Sequence, residues 1–197
     1  TTELGTQQWI ERILGASGVS GMTIMALMTS IMCVGRYFGG PLIHRFHPVG
    51  VLLGSAIFAF IGIGSMSVAS GEWIYVSAVL FAIGVTYFWP TMLGMVAQEL
   101  PQTGALGLSV MGGAGMFAVS LWNPVIGHWV DQAHHKAANT GLSDVQNQIF
   151  AGQSVLSNLA IFPAVLILFF TGLYLFYRKN SLLLAQKVAT KPARDLL

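Results

Sequence analysis

The sequence predicts an all-α membrane protein with five transmembrane helices. Hydrophobic residues make up 54% of the chain and charged residues 8%, against roughly 25% charged in an ordinary water-soluble domain. Nine Lys or Arg and seven Asp or Glu are too few to give a fold of this size a polar surface, so its apolar surface faces lipid. The apolar residues also fall into five runs, each near the roughly 20 residues that cross about 30 Å of hydrocarbon. The scarce charges gather between these runs and in the tail, as topology signals do, and not in a patch suited to nucleic acid.

Residues 1–18 are mixed and polar, with Glu3, Glu11, Arg12 and several glycines. They read as an extracytoplasmic loop or interfacial segment, with Trp9 as its anchor. The first span is expected over 19–42, free of charge until Arg36, where Tyr37 and Phe38 supply interfacial rings. A tight basic turn, residues 35–48, follows. The second span covers 49–70, and its Gly50 and Gly54 read equally as a close-packing pair and as chance spacing in a glycine-rich helix. After a short loop at Gly71 and Glu72, the third span covers 73–98 and differs at its centre, where Thr86, Tyr87, Trp89, Pro90 and Thr91 stand together. A proline here removes a backbone hydrogen bond and kinks the helix. Membranes tolerate this where the freed groups are buried in protein or face a water-filled cavity.

The fourth span covers 104–130. Gly112, Gly113 and Gly115 make it the smallest-faced helix, suited to tight packing, and Asn123 and Pro124 lie toward its end, Pro124 as a second kink. Residues 131–154 read as a longer polar loop with room for a short amphipathic helix. The fifth span covers 155–177 and is almost uniformly aliphatic or aromatic. A basic tail, 179–197, closes the chain.

Five spans put the termini on opposite sides. Arg36, Arg45, Arg178, Lys179, Lys187, Lys191 and Arg194 collect on one side, and Arg12 and Lys136 on the other. The excess of Lys and Arg marks the cytoplasmic side. The N-terminus is therefore expected outside, with the basic turn and the tail in the cytoplasm, in an integral protein of the cell (inner) membrane. Cys33 is the sole cysteine, which excludes intrachain disulfides and cysteine metal clusters. His44 with His47, and His134 with His135, lack the neighbouring acids or histidines of a metal site. No metal or cofactor is expected.

The turn carries Gly40, Leu42 and Arg45 in the spacing of the Gly-x-Leu-x-Asp-Arg-x-Gly motif, with His44 in place of the acid and His47 in place of the last glycine. On these residues the chain resembles the C-terminal half of the major facilitator superfamily. The fuller set Gly35, Arg36, Tyr37, Gly39, Leu42, Arg45, Phe46 and Pro48 is similar to the fucose/glucose/galactose permease branch, a sugar symporter branch. The Tyr87-Phe88-Trp89-Pro90-Thr91 stretch is similar to an element of the same branch. The resemblance implies that residues 1 to about 178 correspond to spans 8–12 of a twelve-span fold, with seven N-terminal spans as the missing partner. The start at Thr1 agrees with a fragment.

The resemblance further implies a secondary transporter that moves a small-molecule solute, a sugar in this branch, by alternating access, with protons as a candidate coupling ion. It implies that the third span present lines the central cavity. Tyr87 and Trp89 would then stack on a sugar ring or donate to its hydroxyls; aromatic packing around the kink is the structural alternative. Thr91 joins them as a cavity candidate, although Thr86 and Thr91 have a simpler role in bonding their own backbone. Asn123 either faces the cavity or caps carbonyls freed near Pro124. Arg36, Gly40 and Arg45 form the expected cytoplasmic gating loop, the arginines pairing with carboxylates or helix C-termini of neighbouring helices; anchoring to lipid headgroups is the alternative. No Asp or Glu lies within the five spans, so a proton carrier is expected in the missing half. Two other classes stand beside transport. One is a non-transporting scaffold or inactive remnant. The other is a membrane enzyme, for which residues 131–144 offer no convincing constellation.

Overall fold

The computed structural model describes residues 2–14, 20–45, 47–138 and 143–189, with side chains except at 11, 12, 14, 40–45, 138, 144, 145 and 180–189. Every regular element among them is helical: α1 (Leu4–Leu14), α2 (Gly21–Arg45), α3 (Pro48–Val68), α4 (Trp73–Thr86), α5 (Phe88–Glu99), α6 (Gly104–Ala138), α7 (Asp144–Leu159) and α8 (Ile161–Ala189). A single 3₁₀ turn, Pro101–Thr103, links α5 to α6. Five helical stretches are long and apolar enough to cross a membrane: Gly21–Gly39, Pro48–Val68, Trp73–Glu99, Pro101–Ala137 and Gln146–Lys179. The protein is an integral membrane protein by this measure. The third stretch is α4 and α5 in series, and the fifth is α7 and α8 in series.

α3 is the hub, packed against α4 on one side and against α7 and α8 on another. Lipid tails are as apolar as leucine, so close contact between helices must come from small residues and fitted surfaces. The α3–α4 pair shows this directly. A methyl group added at Gly84 would collide with the backbone of Ala59, and one added at Gly62 would lie 2.5 Å from the backbone of Phe81. These glycines, with Ala56, Ala59, Ala78 and Ala82, all fully buried, let the two backbones approach. The link between the helices is short, and Gly71 makes it possible by adopting φ +60°, a conformation that costs other residues energy.

The contacts define two ends of the bundle. At one end, His47 of the α2–α3 turn lies against Tyr177 of α8, ring centroids 5.5 Å apart. At the other, Gln153 of α7 donates to the Ala69 carbonyl just beyond α3 at 3.3 Å. Arg178 and Lys179 therefore share an end with the α2–α3 turn.

Three sequence expectations change. The polar loop expected over 131–154 is largely helix, since α6 runs on to Ala138 and α7 begins at Asp144. Ala133, Ala137, Ala151 and Val155 are buried there, which holds these extensions together. Secondly, the basic stretch from Gly35 to Arg45 is not a turn; it is the last part of α2, and the chain reverses only around His47. Pro48 supplies the stop and the restart, as the first residue of α3. Thirdly, residues 4–14, read from sequence as a loop or interfacial segment, are a helix seated on the bundle. Thr6 and Ile10 are fully buried and α1 packs on α7, α2 and α6. At 11 residues, α1 is about 16 Å long, half a membrane thickness. The tail expected from 179 begins as a continuation of α8 to Ala189, and residues 190–197 lie outside the described residues.

Candidate functional site

The site begins with Pro90. A proline has no N–H to give to the carbonyl four residues earlier, which here belongs to Thr86. α4 ends at Thr86 and α5 restarts at Phe88, with Tyr87 between them at φ −98°, ψ −5°. The break falls at the middle of the Trp73–Glu99 stretch. A freed carbonyl at that depth needs another donor, and Arg36 of α2 provides it. Its Nε donates to the Thr86 oxygen at 3.2 Å. One of its terminal nitrogens donates to Glu3 Oε1 at 2.8 Å.

The geometry allows this because α2 presents two glycines to the break. A methyl group at Gly35 would come within 2.8 Å of Thr86 Cγ2, and one at Gly39 within 2.8 Å of the Tyr87 ring. Gly35 and Gly39, spaced as in a G-x-x-x-G pair, bring α2 close enough for Arg36 to reach the carbonyl. The Thr86 hydroxyl closes on its own helix through the Ala82 carbonyl at 2.5 Å.

Arg36 and Glu3 open onto a cavity of about 780 Å³. Its walls come from the start of α1, from α2, from Phe88, Trp89 and Met92 of α5, from Gly112, Gly115, Met116 and Trp122 of α6, and from α8. Most of the wall is apolar, and among the described lining residues Arg36 and Glu3 are the only charged ones. Trp122 and Phe162 meet edge to face, centroids 5.0 Å apart. Behind the wall, the α7–α8 helix is interrupted at Ala160, where Pro163 leaves the Leu159 carbonyl without its helical donor.

The residues singled out from sequence scatter more than expected. Trp89 lines the cavity, its ring over Gly112 and Gly115. Tyr87 instead packs on Gly39. Thr91 is buried, and its hydroxyl is without a partner among the described residues. Asn123 faces α1: it accepts from Trp9 Nε1 at 3.2 Å and donates to Gln8 Oε1 at 2.9 Å. Pro124 sits inside an uninterrupted α6. Gly40 and Arg45 lie in the last turns of α2; their side-chain surroundings lie outside the described residues. Arg36 lies level with the α4–α5 break and not at the end of α2, about 13 Å along the helix from Arg45 at 1.5 Å per residue, with 37% of its side chain exposed. Tight glycine contacts include those at Gly35, Gly39, Gly62, Gly84, Gly107 and Gly152, while Gly54 and Gly113 have nothing within 4 Å and Gly50 makes only ordinary contact with Tyr174.

Glu3 is the residue that sequence reasoning missed. Its signal was present: in a chain so poor in charge, an acid immediately before a helix with a buried stripe of Thr6, Ile10 and Ile13 is within reach of the bundle interior. Among the described residues no group of three His, Cys, Asp or Glu is arranged to hold a metal ion. No protein-family model matches the chain, and searches of the curated proteins and of the solved structures find no match.

Proposed function

We propose that this chain is the C-terminal part of a secondary transporter of the major facilitator type, carrying a small polar solute across a membrane by alternating access. The observation that carries the proposal is the Arg36–Glu3 pair, held at the depth of a proline break and open to a cavity. Charged side chains inside a membrane bundle are costly and mark solute or ion pathways. Broken helices are tolerated there beside cavities, and transporters place their binding sites near the bilayer midplane at such breaks. A scaffold needs neither feature.

On this reading the remaining spans of a twelve-span fold are the partner that completes the path. The α2–α3 turn and the end of α8 face the cytoplasm, following the excess of Lys and Arg at that end. A sugar is the solute class that the resemblance implies, and protons the coupling ion. With Glu3 on the cavity wall, a carboxylate for proton coupling is available in this half as well.

The test is uptake into proteoliposomes made with the protein from its full reading frame. A panel of hexoses and small organic acids is supplied with and without an imposed proton gradient. Accumulation of one solute is expected, and Trp89→Ala is expected to lower its uptake at least tenfold with the helical circular dichroism unchanged. No uptake of any solute would reject transport, and a protonophore without effect would reject proton coupling.

A further inference from the structure

We infer that Arg36 recognises the carboxylate of a small, largely apolar monocarboxylate, and that Glu3 occupies the guanidinium while no ligand is bound. The inference deepens the transport reading and rests on it for the passage of the ligand, but not for its binding.

An arginine offers five N–H donors in a planar fork. Here Nε is committed to the Thr86 carbonyl. That bond holds the guanidinium beside the break, where both Arg36 and Glu3 line the cavity. Glu3 takes one contact there, a single carboxylate oxygen on a single nitrogen at 2.8 Å. Carboxylates bind such forks best through two parallel hydrogen bonds, so the internal pair leaves part of the fork unused. Glu3 keeps this partly exposed cation from standing unpaired beside an apolar wall, where an uncompensated charge is destabilising. Its side chain is 18% exposed and precedes the first turn of α1, so it is able to withdraw when a second carboxylate arrives.

The rest of the wall selects the body of the ligand. Phe88, Trp89, Met92, Trp122 and Phe162 surround the space, and they offer rings, a thioether and indole N–H groups, but few acceptors. A hexose brings several hydroxyls, each of which costs free energy when buried without a partner. A compact body with one carboxylate, such as an aromatic acid, meets both the cation and the rings. About 780 Å³ lies within the usual range for a small-molecule site. Long-chain fatty acids share the headgroup chemistry but come from the bilayer. Their carboxylate belongs at the membrane surface, whereas Arg36 lies at the level of the mid-span break.

The experiment is isothermal titration of the full protein in nanodiscs with phenylacetate, phenylacetamide, glucose and palmitate. Phenylacetate should bind, and its neutral amide should bind at least tenfold more weakly. Glu3→Gln, which keeps a hydrogen-bond acceptor for Arg36, should tighten phenylacetate about tenfold by removing the internal competitor. Arg36→Lys, which keeps the charge and loses the fork, should weaken it at least tenfold. Equal binding of acid and amide, binding of palmitate or glucose alone, or an unchanged affinity in Glu3→Gln would overturn the inference. Uptake is scored separately. Carboxylate binding without uptake rejects the transport reading and leaves the site standing; hexose uptake without carboxylate binding does the reverse.

Discussion

Gly84 and Gly54 are both glycines in apolar helices, yet their surroundings predict opposite outcomes. Gly84 faces the Ala59 backbone with no space for a methyl group, whereas Gly54 faces open space. Backbone atoms cannot swing aside as side chains do, so Gly84→Ala must separate α3 from α4. Overpacking of this kind costs about 1–3 kcal/mol. Gly84→Ala is expected to lower the thermal midpoint in detergent clearly, and Gly54→Ala to leave it within error; equal midpoints would contradict the close approach. From sequence the two residues look alike. A G-x-x-x-G spacing shows where a helix is able to pack closely, but the facing backbone decides whether it does. That is why Gly50 and Gly54 were legible as a motif and Gly62 with Gly84, one on each helix, were not. The same holds for Arg36. Its scarcity value was legible, and so was pairing with a carboxylate or a helix C-terminus. Its depth was not, because Gly39, Gly40 and Pro41 read as a turn while the chain continues as helix to Arg45.

The break between α4 and α5 is an element-scale device with a stated cause. Pro90→Ala returns an N–H to position 90 and so gives the Thr86 carbonyl its helical donor. The new bond competes with Arg36 for that oxygen, and the guanidinium loses the contact that holds it beside the break. Two outcomes are expected together: the amide of residue 90 becomes protected in hydrogen exchange, and solute uptake falls. Protection without any fall in uptake would show that the break is structural only. Here the sequence was informative, since a proline amid polar and aromatic residues in an apolar span predicts a break. It could not say which donor serves the freed carbonyl, because α2 meets that carbonyl only through tertiary packing. The half-length helix α1 escaped sequence reading for a similar reason. Its residues 4–14 are polar enough to suggest a loop, and their role appears only when Ile10 and Ile13 are seen buried against the bundle.

For the whole molecule the expected orientation is testable with few changes, since Cys33 is the sole cysteine. In a Cys33→Ala background, Glu72→Cys and Lys179→Cys lie at opposite ends of the bundle. A membrane-impermeant thiol reagent applied to intact cells is expected to label the first and spare the second, and the reverse pattern would invert the topology. The five-span count was legible because length and apolarity need no tertiary information. The arrangement of the spans was not, and it carries a mechanical consequence. α3 and α4 meet backbone to backbone at Gly62 and Gly84 and are joined by a four-residue link around Gly71. Sliding one past the other would drive Phe81 and Ala59 into the opposing chain, so the pair behaves as a single stiff strut.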